Sequence, residues 1–312
     1  MAMQVEPSII GIDVAKAELV IYFLGQTYSI ENTPQAIRAW LKDLPSLCEI
    51  AIEATGTYHM DVIELAHRKG HHIYVIDGSR LHHYRKGTGG RAKTDASDAQ
   101  LLARHLQNEK GALRRWSPPP KAYRTLQTLL RRRAALVKAR TIIQQSLGAE
   151  PLLKAGLKRL ISQINTLDAQ IQKHLRDTVR DAGLSEQVQR CKALEGVGDL
   201  TAYALVMAFL RGDFRNSDAF VAFLGMDVHV RDSGTKTGKR KLTKKGDSEA
   251  RRLLYCAAMA ARRSKRWAGV YQAYLDRGLA TTQALVILAR KLVRIAFALM
   301  KNGTDYQPAP AS

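Results

Sequence analysis

The sequence predicts an α/β domain at the amino terminus, followed by two helical parts. Over the first third of the chain, short apolar runs alternate with amphipathic segments, which is the pattern of a sheet with covered faces. A run of three prolines at 118–120 then interrupts the chain, and the composition beyond it is helical. We therefore divide the 312 residues into an α/β domain at 1–110, a helical segment at 111–185 and a mostly helical domain at 186–312.

Four strands and three helices are predicted within the first part. The strands are short runs rich in β-branched and aromatic residues, and the helices show helical apolar spacing between start and stop signals. The predicted strands are 8–13, 19–24, 48–53 and 72–76, and the predicted helices are 33–44, 60–69 and one that begins near Thr94. A glycine-rich, basic stretch at 85–93 leads into this last helix.

The segment after the prolines is basic and carries a heptad pattern. Residues 111–149 contain nine Lys or Arg and no acid, with Arg131, Arg132 and Arg133 at their centre. Beyond a break at 148–151, apolar residues step by four and three. These seam residues are Leu153, Leu157, Leu160, Ile164, Leu167 and Ile171. The pattern predicts a helical hairpin or a dimerising coiled coil, and an ordinary core-facing stripe fits it equally well.

The charge balance indicates a polyanionic partner. Forty-nine Lys and Arg against 28 acids give a net charge of +21 and a pI near 10.1, which favours nucleic acid. No apolar run approaches the roughly 20 residues of a membrane-spanning helix, and residues 1–7 lack the order of a signal peptide, so we expect a cytoplasmic protein. Three widely separated cysteines predict buried, reduced thiols rather than disulfides or a zinc site.

Four acids occupy positions from which they could share metal ions. Asp13 lies at the end of the first strand and Glu53 at the end of a later one. Asp95 and Asp98 are three residues apart at the start of a helix, so they share a face. Each acid alone has an ordinary explanation, as a turn residue, a solvated side chain or a cap of the helix start. Together they supply the hard oxygen ligands that Mg²⁺ requires.

The order of these acids is the arrangement of RuvC-like members of the RNase H fold. The segments around them, 11–16, 52–58 and 93–99, resemble the DEDD motifs of insertion-sequence transposases of the IS110 type, a family that includes the Piv-type DNA invertases. The resemblance implies an RNase H-like (RuvC-like) amino-terminal domain with a metal site at Asp13, Glu53, Asp95 and Asp98. It continues through the rest of the chain, over about residues 8–303.

Two further motifs support the resemblance. Residues 194–202 have a helix-hairpin-helix signature, in which Gly196 and Gly198 would let backbone N–H groups approach a phosphate. The segment 231–246, rich in lysine and glycine, is similar to the carboxyl-terminal transposase segment of the family. The family match makes Ser233 in this segment the recombinase nucleophile.

Ser248 is the rival nucleophile, but a helix cap accounts for it without chemistry. One departure from the family precedes Ser233. Where relatives tend to have a proline-containing stretch, this chain has Met226-Asp227-Val228-His229-Val230.

The resemblance implies a recombinase that cuts and rejoins donor and target DNA through a phosphoserine linkage, with Mg²⁺ or Mn²⁺ as cofactor. It also implies a structured noncoding RNA, a bridge RNA, as guide, a homo-oligomer that is a dimer or tetramer, and a prokaryotic protein associated with the nucleoid. The paucity of aromatic residues, 6%, suits backbone contacts rather than base stacking. The candidate nucleic-acid contacts are Arg131, Arg132, Arg133, Gly196, Gly198, Lys236, Lys239, Arg240, Lys241, Lys244 and Lys245.

Two other functions remain open at this point. The first is a metal-dependent nuclease, such as a junction resolvase, that uses the same acids with water as nucleophile. The second is a basic nucleic-acid-binding protein without enzymatic activity, in which the acids are caps and turn residues. An actin-like sugar kinase, which also begins with an acid after a first strand, does not fit the charge or the motif at 13–16.

Overall fold

A mixed sheet of five strands lies at the centre of the first part of the protein. The computed structural model describes residues 7–54, 56–88, 94–229, 238 and 240–307. The chain divides into one unit at Met1–Pro118 and a second at Pro119–Ser312. The strands of the first unit are β1 Ser8–Val14, β2 Glu18–Phe23, β3 Gln26–Glu31, β4 Cys48–Glu53 and β5 His72–Ile76.

The strand order is β3-β2-β1-β4-β5. Strand β2 pairs antiparallel with both β1 and β3, whereas β1, β4 and β5 run parallel to one another. This arrangement is consistent with an RNase H-like domain. Four of the strands match the predicted ones. The edge strand β3 was not predicted, because it is short and almost all of its residues are exposed.

Four helices cover the two faces of the sheet within the described residues. They are α1 Pro34–Lys42, α2 Met60–Arg68, α3 Gly78–Gly87 and α4 Asp95–Glu109. On one face, isoleucines of β1, β4 and β5 pack with apolar residues of α1 and α2. On the other face, Ala51, Tyr74 and Ile76 pack with Leu81 of α3 and with Leu102 and Leu106 of α4. Helix α3 was not predicted, and the stretch described from sequence as glycine-rich and basic begins inside its last turn.

Gly11 sets the distance between β1 and α4. A Cβ atom at this position would collide with the backbone oxygen of Ala99 and lie 2.7 Å from the backbone nitrogen of Ala103. The absence of a side chain therefore lets the backbone of α4 rest directly on β1. This contact places the start of α4 beside the carboxyl end of β1.

The second unit is helical apart from one small pair of strands among the described residues. Its elements are α5 Lys121–Leu147, α6 Lys154–Asp181, α7 Ser185–Lys192, α8 Asp199–Phe209, α9 Ser217–Phe223, β6 Val228–His229, β7 Lys241–Leu242, α10 Ser248–Ala261, α11 Lys265–Asp276 and α12 Thr281–Asn302. Helix α8 is buried over most of its length among its neighbours α5, α7, α10 and α12. None of the described helices is both long enough and apolar enough to span a membrane.

Helices α5 and α6 form a hairpin, which was one of the two predicted arrangements. Only alternate positions of the heptad seam face the partner helix or the core. The other three, Leu153, Leu160 and Leu167, keep 44%, 40% and 47% of their surface exposed. The hairpin therefore leaves an apolar stripe on its surface. The cysteines are free, with Cys48 and Cys191 buried as predicted and Cys256 half-buried.

We expect Gly11→Ala to destabilise the first unit by about 1–3 kcal/mol, because the added methyl group forces α4 away from β1. Urea unfolding followed by circular dichroism measures the change. Gly111→Ala is the control, since a Cβ there meets nothing within 4 Å. Equal stability of the two variants would contradict the close contact.

Candidate active site

Asp13 and Glu53 lie side by side at the carboxyl ends of parallel strands. Ile12 of β1 is in register with Ile52 of β4, so the next residue of each strand is a neighbouring acid. Because side chains alternate across a strand, both acids belong to the sheet face that carries Gly11. That is the face against which α4 packs. The sheet register alone therefore brings the first two acids together.

Helix α4 begins with a capping box that does not use its acids. The Thr94 side chain accepts a hydrogen bond from the Ser97 backbone N–H, and the Ser97 hydroxyl accepts one from the Thr94 backbone N–H. Asp95 and Asp98 follow within the first turn, where Asp95 is exposed and Asp98 is buried. The prediction that these acids cap free N–H groups is therefore wrong, because Thr94 and Ser97 already perform that role. Their place in the first turn still complements the helix dipole.

The four acids are close enough to act on one another electrostatically. The pKa of Asp13 is raised from 3.8 to about 6, first by burial and then by the charges of Asp95, Asp98 and Glu53. A hydrogen bond from the backbone N–H of Val14 lowers the pKa by a smaller amount. Neighbouring negative charges disfavour the ionised form of a carboxyl group, so a raised pKa is typical of a carboxyl group among other acids. Asp95, Asp98 and Glu53 therefore all lie near enough to Asp13 for their charges to act on it.

Two of the acids are engaged by neighbours from α3. The Arg85 guanidinium forms an ion pair with the Asp98 carboxylate, in which both side chains are largely buried, at 14% and 8% exposed. The Glu53 carboxylate lies against Gly78, the first residue of α3, where a Cβ would collide with it. Arg85 was not identified as a site residue from sequence. Its only signal was its place in a basic stretch, which does not show which acid it meets.

The donor set fits a hard divalent cation. It consists of carboxylate oxygens alone, which is the ligand type that Mg²⁺ and Mn²⁺ prefer. Among the described residues, no three His, Cys, Asp or Glu side chains are gathered as a group that could hold a metal ion.

The predicted nucleophile Ser233 lies outside the described residues, as do Lys236 and Lys239. The strands that flank this segment are described: β6 and β7 pair antiparallel, with Val228 opposite Leu242. Three further predicted contacts, Arg240, Lys241 and Lys244, are exposed at and beyond β7.

The end of the basic segment is held in place by close backbone packing. Lys245 is exposed, but the turn around it rests on Gly225, whose φ is +65°. A Cβ at Gly225 would lie 2.8 Å from the Lys245 backbone nitrogen. The Arg251 guanidinium donates to the Gly246 carbonyl at 2.8 Å. Asp247, rather than Ser248, caps α10, so Ser248 is simply the first residue of that helix.

The three central arginines of α5 have different surroundings. Arg131 donates to Asp247 at 2.7 Å and 2.8 Å, and Arg133 forms an ion pair with Asp168 at 2.8 Å with only 16% of its side chain exposed. Arg132 is exposed between them. The structure therefore assigns Arg133 to the packing of α5 on α6. Arg132 is the member of the set most accessible to a partner.

The two glycines of the predicted helix-hairpin-helix motif also have different surroundings. Gly196 has φ +85°, and a Cβ there would collide with the Ala257 carbonyl and lie 2.5 Å from the Ala261 backbone nitrogen of α10. It is needed for internal packing. Gly198 caps α8 and faces open space, since a Cβ there meets nothing within 4 Å. Of the two, Gly198 is therefore the one whose backbone a phosphate could approach.

Comparison with known proteins shows similarity to transposases along most of the chain. Residues 10–155 match the family model of IS110-type DEDD transposases, and residues 188–272 match the model described as transposase IS116/IS110/IS902 family. A probable family 20 transposase of Pseudomonas aeruginosa is 28% identical over 354 residues, covering 96% of this chain and 98% of the relative. The pilin gene-inverting protein of Moraxella bovis is 26% identical over 318 residues, covering 95% of this chain and 97% of the relative.

Asp13→Asn should stabilise the metal-free protein near neutral pH. The pKa of Asp13 is about 6 in the folded protein, whereas its ordinary value, taken for the unfolded chain, is 3.8. The protonated Asp13 therefore stabilises the fold fully below pH 3.8, and this stabilisation is lost as the pH rises through 6. In EDTA at pH 7.5 we expect the variant to be more stable by roughly 1 kcal/mol, and the difference to vanish near pH 4. Urea titrations at both pH values measure it.

The exposed acid Asp61 provides the matched control for this experiment. Asp61→Asn removes the same charge from the first turn of α2 and should show no such pH-dependent gain. A gain of equal size in both variants would mean that the acid cluster does not repel Asp13.

Proposed function

The chain belongs to the IS116/IS110/IS902 family of transposases, and we propose that it is a DNA recombinase that mobilises an insertion sequence by covalent strand exchange at Ser233. The observation that supports the proposal is that Glu53, Asp95 and Asp98 all lie near enough to Asp13 to raise its pKa, with Asp13 and Glu53 at the ends of neighbouring parallel strands. This proximity needs the strand register and the α4 contact together, and helix capping does not explain it. A role as a non-enzymatic binder is therefore disfavoured.

Asp13, Glu53, Asp95 and Asp98 would hold the divalent cation. When bound, Mg²⁺ or Mn²⁺ would stabilise the negative charge that develops on the phosphate and the leaving oxygen. The carboxylates lie at rigid positions, two on strand ends and two on a helix start, which suits a preorganised site. Asp13 must lose its proton to act as a ligand, so its raised pKa predicts weaker metal binding below about pH 6.

Ser233 would supply the nucleophile for strand cleavage. Its Oγ forms a bond to phosphorus while the bond between phosphorus and a deoxyribose oxygen breaks, and the serine proton is balanced by the proton that the leaving oxygen takes up. The reverse reaction with another strand end regenerates the serine and rejoins the DNA. No hydrolysis is required, because the phosphodiester energy is kept in the serine ester. The basic residues on both sides of Ser233 support this role by their attraction for phosphate.

A noncoding bridge RNA is proposed as the guide that selects donor and target DNA. The chain carries a net charge of +21 with few aromatic residues, a composition suited to backbone contacts with both nucleic acids. Base pairing by the RNA would then supply the sequence specificity. Such a protein would be found with the bacterial nucleoid.

A homo-oligomer, a dimer or tetramer, is proposed to complete the active site. The acids belong to the first compact unit, whereas the sequence position of Ser233 belongs to the second. The exposed leucines of the α6 seam, Leu160 and Leu167, support pairing with a second copy, because a heptad stripe in water is stabilised by a matching stripe.

Ser233→Ala should abolish strand exchange and covalent protein–DNA adducts without loss of folding. The assay incubates the protein with Mg²⁺, donor and target DNA and RNA transcribed from the noncoding sequence beside the gene, and detects adducts after denaturing electrophoresis. Ser248→Ala is the control and should keep both activities, because Asp247 caps α10 without it. Free DNA ends without an adduct in the unchanged protein would instead indicate a water-using nuclease.

Arg132→Ala should weaken binding to nucleic acid with little change in stability. Loss of one phosphate contact is expected to reduce the slope of log K against log salt by roughly 1. Arg133→Ala is the contrasting variant, since it leaves Asp168 without its partner in the hairpin and should lower the unfolding temperature instead. Fluorescence anisotropy at several salt concentrations and thermal unfolding separate the two effects. Unchanged binding by the Arg132 variant would remove it from the interface.

A further inference from the structure

Arg85 is the one basic side chain that forms an ion pair with the acid cluster within the described part of the chain. Its partner Asp98 is only 6% exposed, so its charge needs compensation from inside the protein. The guanidinium supplies that compensation. It also repels any second cation that approaches Asp98, because like charges repel at contact distance. The position that a metal ion would take next to Asp98 is therefore partly held by a side chain of the protein.

The placement of Arg85 does not depend on this ion pair. Helix α3 is attached to α4 by other contacts: Leu81 is buried at the interface, and the Tyr84 hydroxyl accepts a hydrogen bond from the Asn108 side chain at 2.8 Å. The Tyr84 ring also packs edge-on against His105, with centroids 4.6 Å apart. Arg85 follows Tyr84 directly and is thus presented to Asp98 by a helix that is already fixed. Replacing its head group should leave α3 in place.

From this geometry we propose that Arg85 is a resident counter-ion that competes with the divalent metal for Asp98 and sets the metal concentration at which the site assembles. The inference rests on the proposed function, because it takes the four acids as metal ligands. In the metal-free protein, the Arg85 ion pair neutralises Asp98 and keeps the cluster from gathering around one point. Metal binding displaces the guanidinium, so the affinity for metal is reduced by the strength of this ion pair. Arg85 is a positioning residue and not a catalytic one.

The test measures Mn²⁺ binding to the full-length protein, without DNA or RNA, by electron paramagnetic resonance of the free ion. We expect Arg85→Gln to tighten Mn²⁺ binding by roughly tenfold, because it removes a unit positive charge in contact with a ligand carboxylate. Arg85→Lys keeps the charge and should bind close to the unchanged protein. Lys86→Gln, an exposed residue of the same helix, is the charge-matched control and should change the dissociation constant less than twofold.

Thermal unfolding supplies a second measurement. In EDTA, the Arg85→Gln variant should unfold at a lower temperature than the unchanged protein, because Asp98 loses its partner. Added Mn²⁺ should raise its unfolding temperature by more than it raises that of the unchanged protein. Combining Arg85→Gln with Asp98→Asn should remove both the gain in affinity and the extra stabilisation.

Two outcomes would overturn the inference, and they are distinguishable. If the unchanged protein binds Mn²⁺ but Arg85→Gln binds it no more tightly than Lys86→Gln does, Arg85 is only a structural partner of Asp98 and the metal-dependent function stands. If neither the unchanged protein nor any Arg85 variant binds Mn²⁺ at millimolar concentrations, the proposed metal site fails and the inference fails with it.

Discussion

The direct contact between the backbone of α4 and β1 at Gly11 is the constraint on which the acidic site depends. Strand register places Asp13 beside Glu53, but only the approach of α4 brings Asp95 and Asp98 to the same face. A side chain at Gly11 would separate the two elements and divide the cluster. A single glycine on a buried strand thus links the core packing of the first unit to its proposed chemistry.

The repulsion among the acids works against stability in the metal-free protein. Burial and three neighbouring carboxylates raise the pKa of Asp13, while Asp98 is retained in its buried position by Arg85. Sites that bind cations commonly carry such uncompensated repulsion, because the bound ion relieves it. The ordinary structural roles are filled by other residues, since Thr94 and Ser97 cap α4. The arrangement therefore favours a functional role for the acids over a structural one.

The basic residues of the second unit divide into structural and available groups. Arg133 joins α5 to α6 through its ion pair with Asp168, and Arg251 donates to the Gly246 carbonyl. Both guanidinium groups are therefore engaged within the protein. Arg132 and Lys244, by contrast, are exposed. The same division separates Gly196, which permits α10 to pack closely, from Gly198, which faces open space. Net charge indicates the class of partner, whereas the ion pairs show which cations can meet it.

The sequence by itself determined the α/β character of the first unit, four of its strands, the two long helices after the prolines and the family, because these depend on local periodicity and on motifs. It left open whether the two long helices form a hairpin or a dimerising coiled coil. It did not reveal β3 or α3, whose residues are mostly exposed. Only the tertiary structure decided that the other three acids lie near enough to Asp13 to raise its pKa, and that Arg85 lies on Asp98. These facts depend on contacts between residues distant along the chain, which local patterns do not encode.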